Sequence, residues 1–328
     1  MGQCFRLLME KDLQCLLPPG ELVDLMDHAL EVFSTGRATN PARTVFFVGP
    51  ERAYVGMMPA CLPDDRALGA KLVTSFESNK ARGMPSHFAT VFLLDPETGM
   101  LRALLDGRYI TEVRTAAVSA AAVRRLAAGP VNTVWLLGCG VQARGHVRTF
   151  SALFAPRAIR VWSPSDDLAE FVEVAAAGNG LPLVRASSAE SAVHGADVVV
   201  LVTNSADPVV DTAWVQPGAV VVSVGACRPD HREMDPALVA RARLLVDSRD
   251  AAFAESGDVV QGIREGRFGP DHVRGELGQV LAGQVAARTS ADEVVVFKSL
   301  GLAVEDVATA NLAYRKAVER NVGSQAVL

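Results

Sequence analysis

Apolar positions change rhythm along the chain, and each change predicts a different kind of element. After Pro18-Pro19-Gly20, the residues Leu22, Leu25, Met26, Ala29 and Phe33 recur at helical spacing, and Gly36 closes the run. Short apolar segments follow at 44–48, 54–58, 68–76, 88–94 and 101–105. Turn residues such as Pro63-Asp64-Asp65, Gly83 and Pro96-Glu97-Thr98-Gly99 divide them, so this part reads as sheet-rich. Thr111 is placed to cap an alanine-rich helix from Glu112 to about Ala127, which Gly129-Pro130 ends. Beyond it, 131–137, 159–162, 198–203, 220–224 and 244–247 read as strands with helical or loop segments between them, the rhythm of a doubly wound, mostly parallel sheet. A last helix follows 294–297, about Val304 to Arg320, with Val307, Ala310, Tyr314 and Ala317 on one stripe.

The stretch 131–146, VNTVWLLGCGVQARGH, joins a buried type of strand (Val134, Trp135, Leu136, Leu137) to a glycine turn and a helix. Gly138, Gly140 and Ala143 stand at the spacing G-x-G-x-x-A. The first glycine permits a tight turn, the second lets backbone approach a pyrophosphate, and the small third residue lets helix pack on strand. Val147, Phe150 and Phe154 continue the helix, so phosphate-facing N–H groups would lie at its N-terminus. The pattern predicts a dinucleotide site. In such a site a carboxylate about 20 residues on binds the ribose of NAD. Here the next strand, Ile159-Arg160-Val161-Trp162, ends in Ser163-Pro164-Ser165. With no carboxylate at its tip, and with Ser163 and Ser165 able to donate to a 2′-phosphate, NADP(H) is favoured. Asp166 and Asp167 lie close by and no arginine follows directly, so NAD(H) stays open. The resulting architecture is a Rossmann-type α/β unit, residues 119–299, inserted in a discontinuous α+β domain of residues 1–118 and 300–328.

Composition narrows the partners. The 328 residues are enough for two domains, and the net charge of −5, without a Lys/Arg block, argues against nucleic acid or an anionic membrane as the principal partner. No apolar run approaches the ~18 residues that span a bilayer, and charges in MGQCFRLLMEKD interrupt what a signal peptide would need. Five scattered cysteines without a C-x-x-C pair argue against a disulfide framework and a zinc site, and the expected compartment is the cytoplasm.

Several side chains are candidates for chemistry. Lys71 interrupts an apolar strand, where it lies on a solvated face or points into a site. Arg114 falls in the first turn of the helix expected from Glu112, where the macrodipole disfavours a cation, so a nearby anion would account for it. Arg43 opens a strand and is compatible with plain surface, and His87, in Pro85-Ser86-His87-Phe88, is a structural histidine or a proton carrier. Gly225, Cys227 and Arg228 follow the strand 220–224 at the carboxyl edge of the sheet, where ligands bind in this fold. No G-x-S-x-G elbow supports a serine hydrolase.

Together NPARTVFFV, AYVGMMPA, AKLVTSFES, MPSHFATVFLLDPETG, DGRYITEVRTAAVSA, LLGCGVQA, VGACRPDHREMD, VDSRDAAFAESGDV and VFKSLGLAVEDVA resemble the ornithine cyclodeaminase/mu-crystallin family over nearly the whole chain. RTAAVSA, GACRPD-x-RE and AESGDV bring it nearest the ketimine reductase branch. The resemblance implies a homodimer whose discontinuous domain supplies the substrate site and the dimer interface beside the NAD(P)-binding domain. It implies that Arg43, Lys71 and Arg114 surround a substrate carboxylate, a job that suits bidentate arginine. Arg228 and Glu255 are implied on the substrate side. For the cofactor it implies Ser86, His87, Arg114 and Thr115 near the nicotinamide and phosphates, Val141 and Gln142 with Gly138 and Gly140 at the glycine turn, and Ser163 at the ribose. Thr203, Val224 and Gly225 are implied at strand ends, and Ser299 at the nicotinamide end. Two departures matter: Cys227 and Gly56 stand where cyclodeaminases carry carboxylates, which removes the acid–base pair for ornithine cyclisation. Pro164 stands where the mu-crystallin branch has an arginine. The expected activity is NAD(P)H-dependent reduction of a carboxylate-bearing ketimine to an amino acid, with Lys71, His87 or Arg114 in the chemistry. An amino-acid dehydrogenase, a cyclodeaminase-like lyase and a non-enzymatic protein binding a thyroid-hormone-like ligand are the alternatives.

Overall fold

Alternation decides the first sheet: along Ala67–Ser75 the odd positions Ala67, Gly69, Lys71 and Val73 are buried and the even ones half-buried. The computed structural model describes residues 4–49, 53–179, 183–225 and 227–327, with only the backbone of 177–179. It divides into two units, Met1–Arg114 with Leu302–Leu328, and Thr115–Gly301. In the first, seven strands run in the order Ser324–Val327, Cys4–Leu8, Leu101–Asp106, His87–Leu94, Ala67–Ser75, Ala53–Leu62, Thr44–Val48. All neighbours are antiparallel except Cys4–Leu8 beside Leu101–Asp106. The two strands from the chain ends carry no clear hydrophobic alternation and pair with each other, which is why the apolar pattern did not predict them.

Helix Ala303–Arg320 packs on this sheet and on helix Pro19–Ser34. At Gly69 an added Cβ would stand 2.4 Å from the Phe92 carbonyl oxygen and 3.4 Å from Val307 of that helix, so only glycine permits the approach. One expectation is corrected. The alanine-rich helix runs Gly107–Leu126, five residues earlier than a Thr111 cap would allow. The Asp106 carboxylate accepts the N–H groups of Arg108 and Tyr109 at 2.9 and 3.0 Å, and so satisfies the first-turn donors itself. Arg114 therefore sits in the second turn, and the first-turn macrodipole argument does not apply to it.

The second unit is the doubly wound sheet that the strand–helix rhythm predicted. Eight parallel strands run in the order Val273–Glu276, Arg243–Val246, Val295–Lys298, Val220–Ser223, Val198–Leu201, Thr133–Leu137, Ala158–Trp162, Leu183–Arg185. Its strands are apolar without alternation because both faces are covered; Val198–Leu201 and Val220–Ser223 are buried throughout. The order reverses between Thr133–Leu137 and Val198–Leu201, the switch point where this fold binds ligands. Among the described residues no helix is long and apolar enough to cross a membrane.

Candidate functional site

In the first unit the sheet delivers Lys71 to a buried charged cluster. Its ammonium, 3% exposed, lies 2.5 Å from Asp306 Oδ2 on the covering helix. Arg114 meets the same carboxylate through Nε, 3.1 Å from Oδ1, and meets Glu305 Oε2 through Nη1 at 2.5 Å. Thr111, displaced from its expected capping role, lies with its hydroxyl 3.5 Å from the Lys71 ammonium. Strand register puts His87 on the same sheet face as Lys71, because Ser75 pairs with His87 and 71 and 75 share parity.

The electrostatics follow from crowding. Burial pushes the Lys71 ammonium down to about 8; Asp306 opposes the shift, and the positive charges of Arg114 and Arg43 add to it. His87 is pushed down to about 4 by burial and then by Lys71 and Arg108, so its imidazole is neutral at pH 7. Burial works against ionisation of Asp306, but Arg114 and Lys71 outweigh it and hold its carboxyl below the usual range. Lys71 thus lies within the field of Arg114 and Arg43, and His87 within that of Lys71, Arg108 and Arg114. Asp306, Glu305, Thr111 and Arg108 were missed by sequence reasoning. The signal was available: an acidic pair in an otherwise apolar helical run, easily taken as an ordinary complement to a helix N-terminus. Gly56 is also explained, since an added Cβ would lie 2.7 Å from the Tyr54 hydroxyl, so the Tyr54 ring fills that side-chain space.

In the second unit the glycine turn has the geometry of a phosphate cradle. Gly138 has φ of 116°, and an added Cβ would stand 2.6 Å from the Val202 carbonyl oxygen. Gly140, by contrast, would place a Cβ with nothing within 4 Å, which leaves open space for a pyrophosphate against bare backbone. Helix Val141–Phe154 begins there with no side-chain cap on its first N–H groups, and Val141 is exposed. Thr115, 4% exposed, has a hydroxyl with no partner among the described residues, as has Gln142 Oε1. These features fit a dinucleotide. Behind the turn the buried His146 bridges the Ser119 hydroxyl at 2.8 Å and the Gln142 carbonyl at 2.7 Å.

The strand ends rest on a second buried network. Glu233 Oε1 accepts from both the N–H and the hydroxyl of Thr203 at 2.7 Å, and Oε2 accepts from Gly225 N–H and Ser223 at 2.9 Å. Lys298, fully buried, donates to Ser223 at 3.0 Å and to the Gly225 carbonyl, and lies 3.4 Å from Asp258. Asp258 in turn accepts the N–H groups of Glu233 and Met234. Burial raises the Glu233 carboxyl above its usual range against the pull of Lys298. Val224 continues the pairing by donating its N–H to Leu201. Ser299 is buried and donates its hydroxyl to Asp247 at 3.3 Å. Ser163 accepts the Ser165 N–H at 3.2 Å, while the Ser165 hydroxyl donates to Asp167 at 3.1 Å. Arg228 is exposed and pairs with Asp230 at 3.4 Å; Glu255 ends helix Arg249–Glu255 half-buried. Ala226, in the turn after Val224, lies outside the described residues.

A family model described as the ornithine cyclodeaminase/mu-crystallin family matches residues 7–321. The chain belongs to this family. It is 41% identical over 303 residues to the ketimine reductase mu-crystallin of Mus musculus, covering 91% of each chain. The Δ1-pyrroline-2-carboxylate reductase of Thermococcus litoralis, solved with NADH and L-proline, superposes with a TM-score of 0.94 at 33% identity, covering 98% of this chain and 99% of that one. An archaeal alanine dehydrogenase dimer with bound NAD superposes at 0.91 and 28% identity, covering 98% and 99%.

Proposed function

We propose that the chain reduces a small carboxylate-bearing ketimine to the amino acid with NAD(P)H, NADP(H) being the preferred form. The observation that carries the reading is the buried Lys71–Asp306–Arg114 cluster in the first unit. Arg114 and Arg43 both work against the charge on Lys71, so an anion bound among them relieves a repulsion the protein otherwise bears. Arg114 and Arg43 grip the substrate carboxylate, and Asp306 holds Lys71 and Arg114 in place for it. Gly138, Gly140 and Thr115 would hold NAD(P)H, which when bound would supply the hydride. Lys71 is the proton donor to nitrogen: at about 8 it is charged at neutral pH and close enough to it to give the proton up. His87, at about 4, is neutral there and orients the substrate through hydrogen bonds. The C=N bond thereby gains one hydride and one proton, which gives the amine.

NADPH and NADH oxidation against a panel of cyclic ketimines, and of 2-oxo acids with amines, tests this. We expect turnover of at least one carboxylate-bearing imine, lowered at least ~10-fold by Lys71→Ala and by Arg114→Ala. Ammonia release from ornithine without net cofactor oxidation, or turnover indifferent to both substitutions, overturns the reading.

The working form is a homodimer in the cytoplasm. Strand Thr44–Val48 lies at the edge of its sheet with Val45, Phe46, Phe47 and Val48 exposed by 36, 57, 53 and 41%, an apolar edge that needs covering. Among the described residues no cysteine is joined in a disulfide, as a reducing compartment keeps them. Light scattering on Phe46→Glu should report monomer where the wild type is a dimer; a monomeric wild type at micromolar concentration rules the dimer out.

A further inference from the structure

In this fold the adenosine ribose lies at the end of the second strand of the nucleotide unit, here Ala158–Trp162 followed by Ser163. The neighbouring strand Leu183–Arg185 runs parallel to it, with Arg185 opposite Val161. A cavity of about 380 Å³ opens at these ends, lined by Trp162, Ser163, Leu168, Arg185, Ala186 and Ser187. Among the described residues Arg185 is the one charged side chain on its wall, and no carboxylate pairs with it. Asp167, the nearby carboxylate that would suit an unphosphorylated ribose, is off that wall; its carboxylate accepts the Ser165 hydroxyl, and its backbone N–H donates to the Ser165 oxygen. Ser163 receives the Ser165 N–H on its oxygen, which leaves its own hydroxyl proton to give. A guanidinium and two hydroxyls around a cavity whose remaining walls are Trp162, Leu168 and Ala186 make a site for a phosphate monoester attached to a nucleoside.

We propose that Arg185 reads the 2′-phosphate of NADP(H), with Ser163 and Ser187 as its hydroxyl partners. The proposal rests on the NADP(H) preference stated above and names the residue responsible. Arginine suits the task because its planar fork matches phosphate oxygens and it stays charged at every working pH. No carboxylate at the cavity wall competes for it.

Isothermal titration of the whole protein with NADPH, NADH and adenosine 2′,5′-bisphosphate, wild type against Arg185→Gln, tests this without turnover. The substitution should weaken NADPH and the bisphosphate by about 10- to 100-fold, the loss of one or two charge-assisted hydrogen bonds, and leave NADH within about twofold. Retained NADH binding also shows that the variant is folded. If the wild type prefers NADPH and Arg185→Gln keeps that preference, or loses NADH equally, the Arg185 assignment fails while the NADP(H) reading stands. A wild type that binds NADH as well as NADPH overturns both.

Discussion

Asp306→Asn is the substitution that most directly tests how the cluster works. The Asp306 carboxylate is fully buried, 2.5 Å from Lys71 and 3.1 Å from Arg114, and it is what keeps the lysine as basic as it is. Arg114 keeps its Glu305 partner at 2.5 Å when Asp306 is neutralised; Lys71 loses its ion pair. An opposite charge in contact is worth about 1–3 pKa units, so the ammonium should fall by that amount from its present value of about 8. At about pH 7.5 its protonated fraction then drops from roughly three-quarters to about a quarter or less. Because the lysine must be charged both to face the carboxylate and to donate, kcat/KM should fall about 3-fold or more at that pH. The fall should be recovered only as pH drops through the lowered pKa, the alkaline limb having moved acidward by the same 1–3 units. Steady-state NADPH oxidation with a reducible ketimine, measured across pH, reads the limb; the dissociation constant for NADPH checks that the nucleotide unit is intact. An alkaline limb that stays in place, or an equal loss at every pH, refutes the role given to Asp306.

Three further substitutions concern the nucleotide unit. Gly138→Ala should cost about 1–3 kcal/mol of stability, because its φ of 116° and the 2.6 Å approach to Val202 admit no side chain, whereas Gly140→Val, with nothing within 4 Å, should melt like wild type yet bind NADPH about 10-fold or more weakly; thermal unfolding and titration separate the two. His146 is held down to about 4 by burial against an unfolded value of 6.5, so between those pH values the unfolded chain takes up the proton and the folded one does not. Its contribution is complete above pH 6.5 and is lost as pH falls to about 4, on the order of 3 kcal/mol. Urea unfolding at a series of pH values should show a flatter acid slope for His146→Gln, and an unchanged slope would remove His146 from the account.

The nucleotide half was legible because its signals are local. A buried parallel strand, a G-x-G-x-x-A turn and a helix occupy consecutive residues, so one short window states the geometry that Gly138 and Gly140 adopt. The carboxylate half was legible only through resemblance. Lys71 alone reads more readily as a solvated strand charge, and the helix-start argument for Arg114 rested on a boundary that Asp106 moves five residues upstream. Its counter-charges are 235 and 192 residues away in the chain, at Asp306, and no periodicity connects positions so distant.

By itself, then, the sequence determined most of the strands and helices, the cofactor turn and the family, since propensity, alternation and glycine spacing act between neighbours. Tertiary structure decided which charges meet. Helix Ala303–Arg320 returns to the first sheet and sets Asp306 between Lys71 and Arg114, and Glu233 and Lys298 come together under the strand ends. Both are buried ionic groupings, stable only when every partner arrives; desolvation penalises each charge alone, and only the complete fold supplies the others.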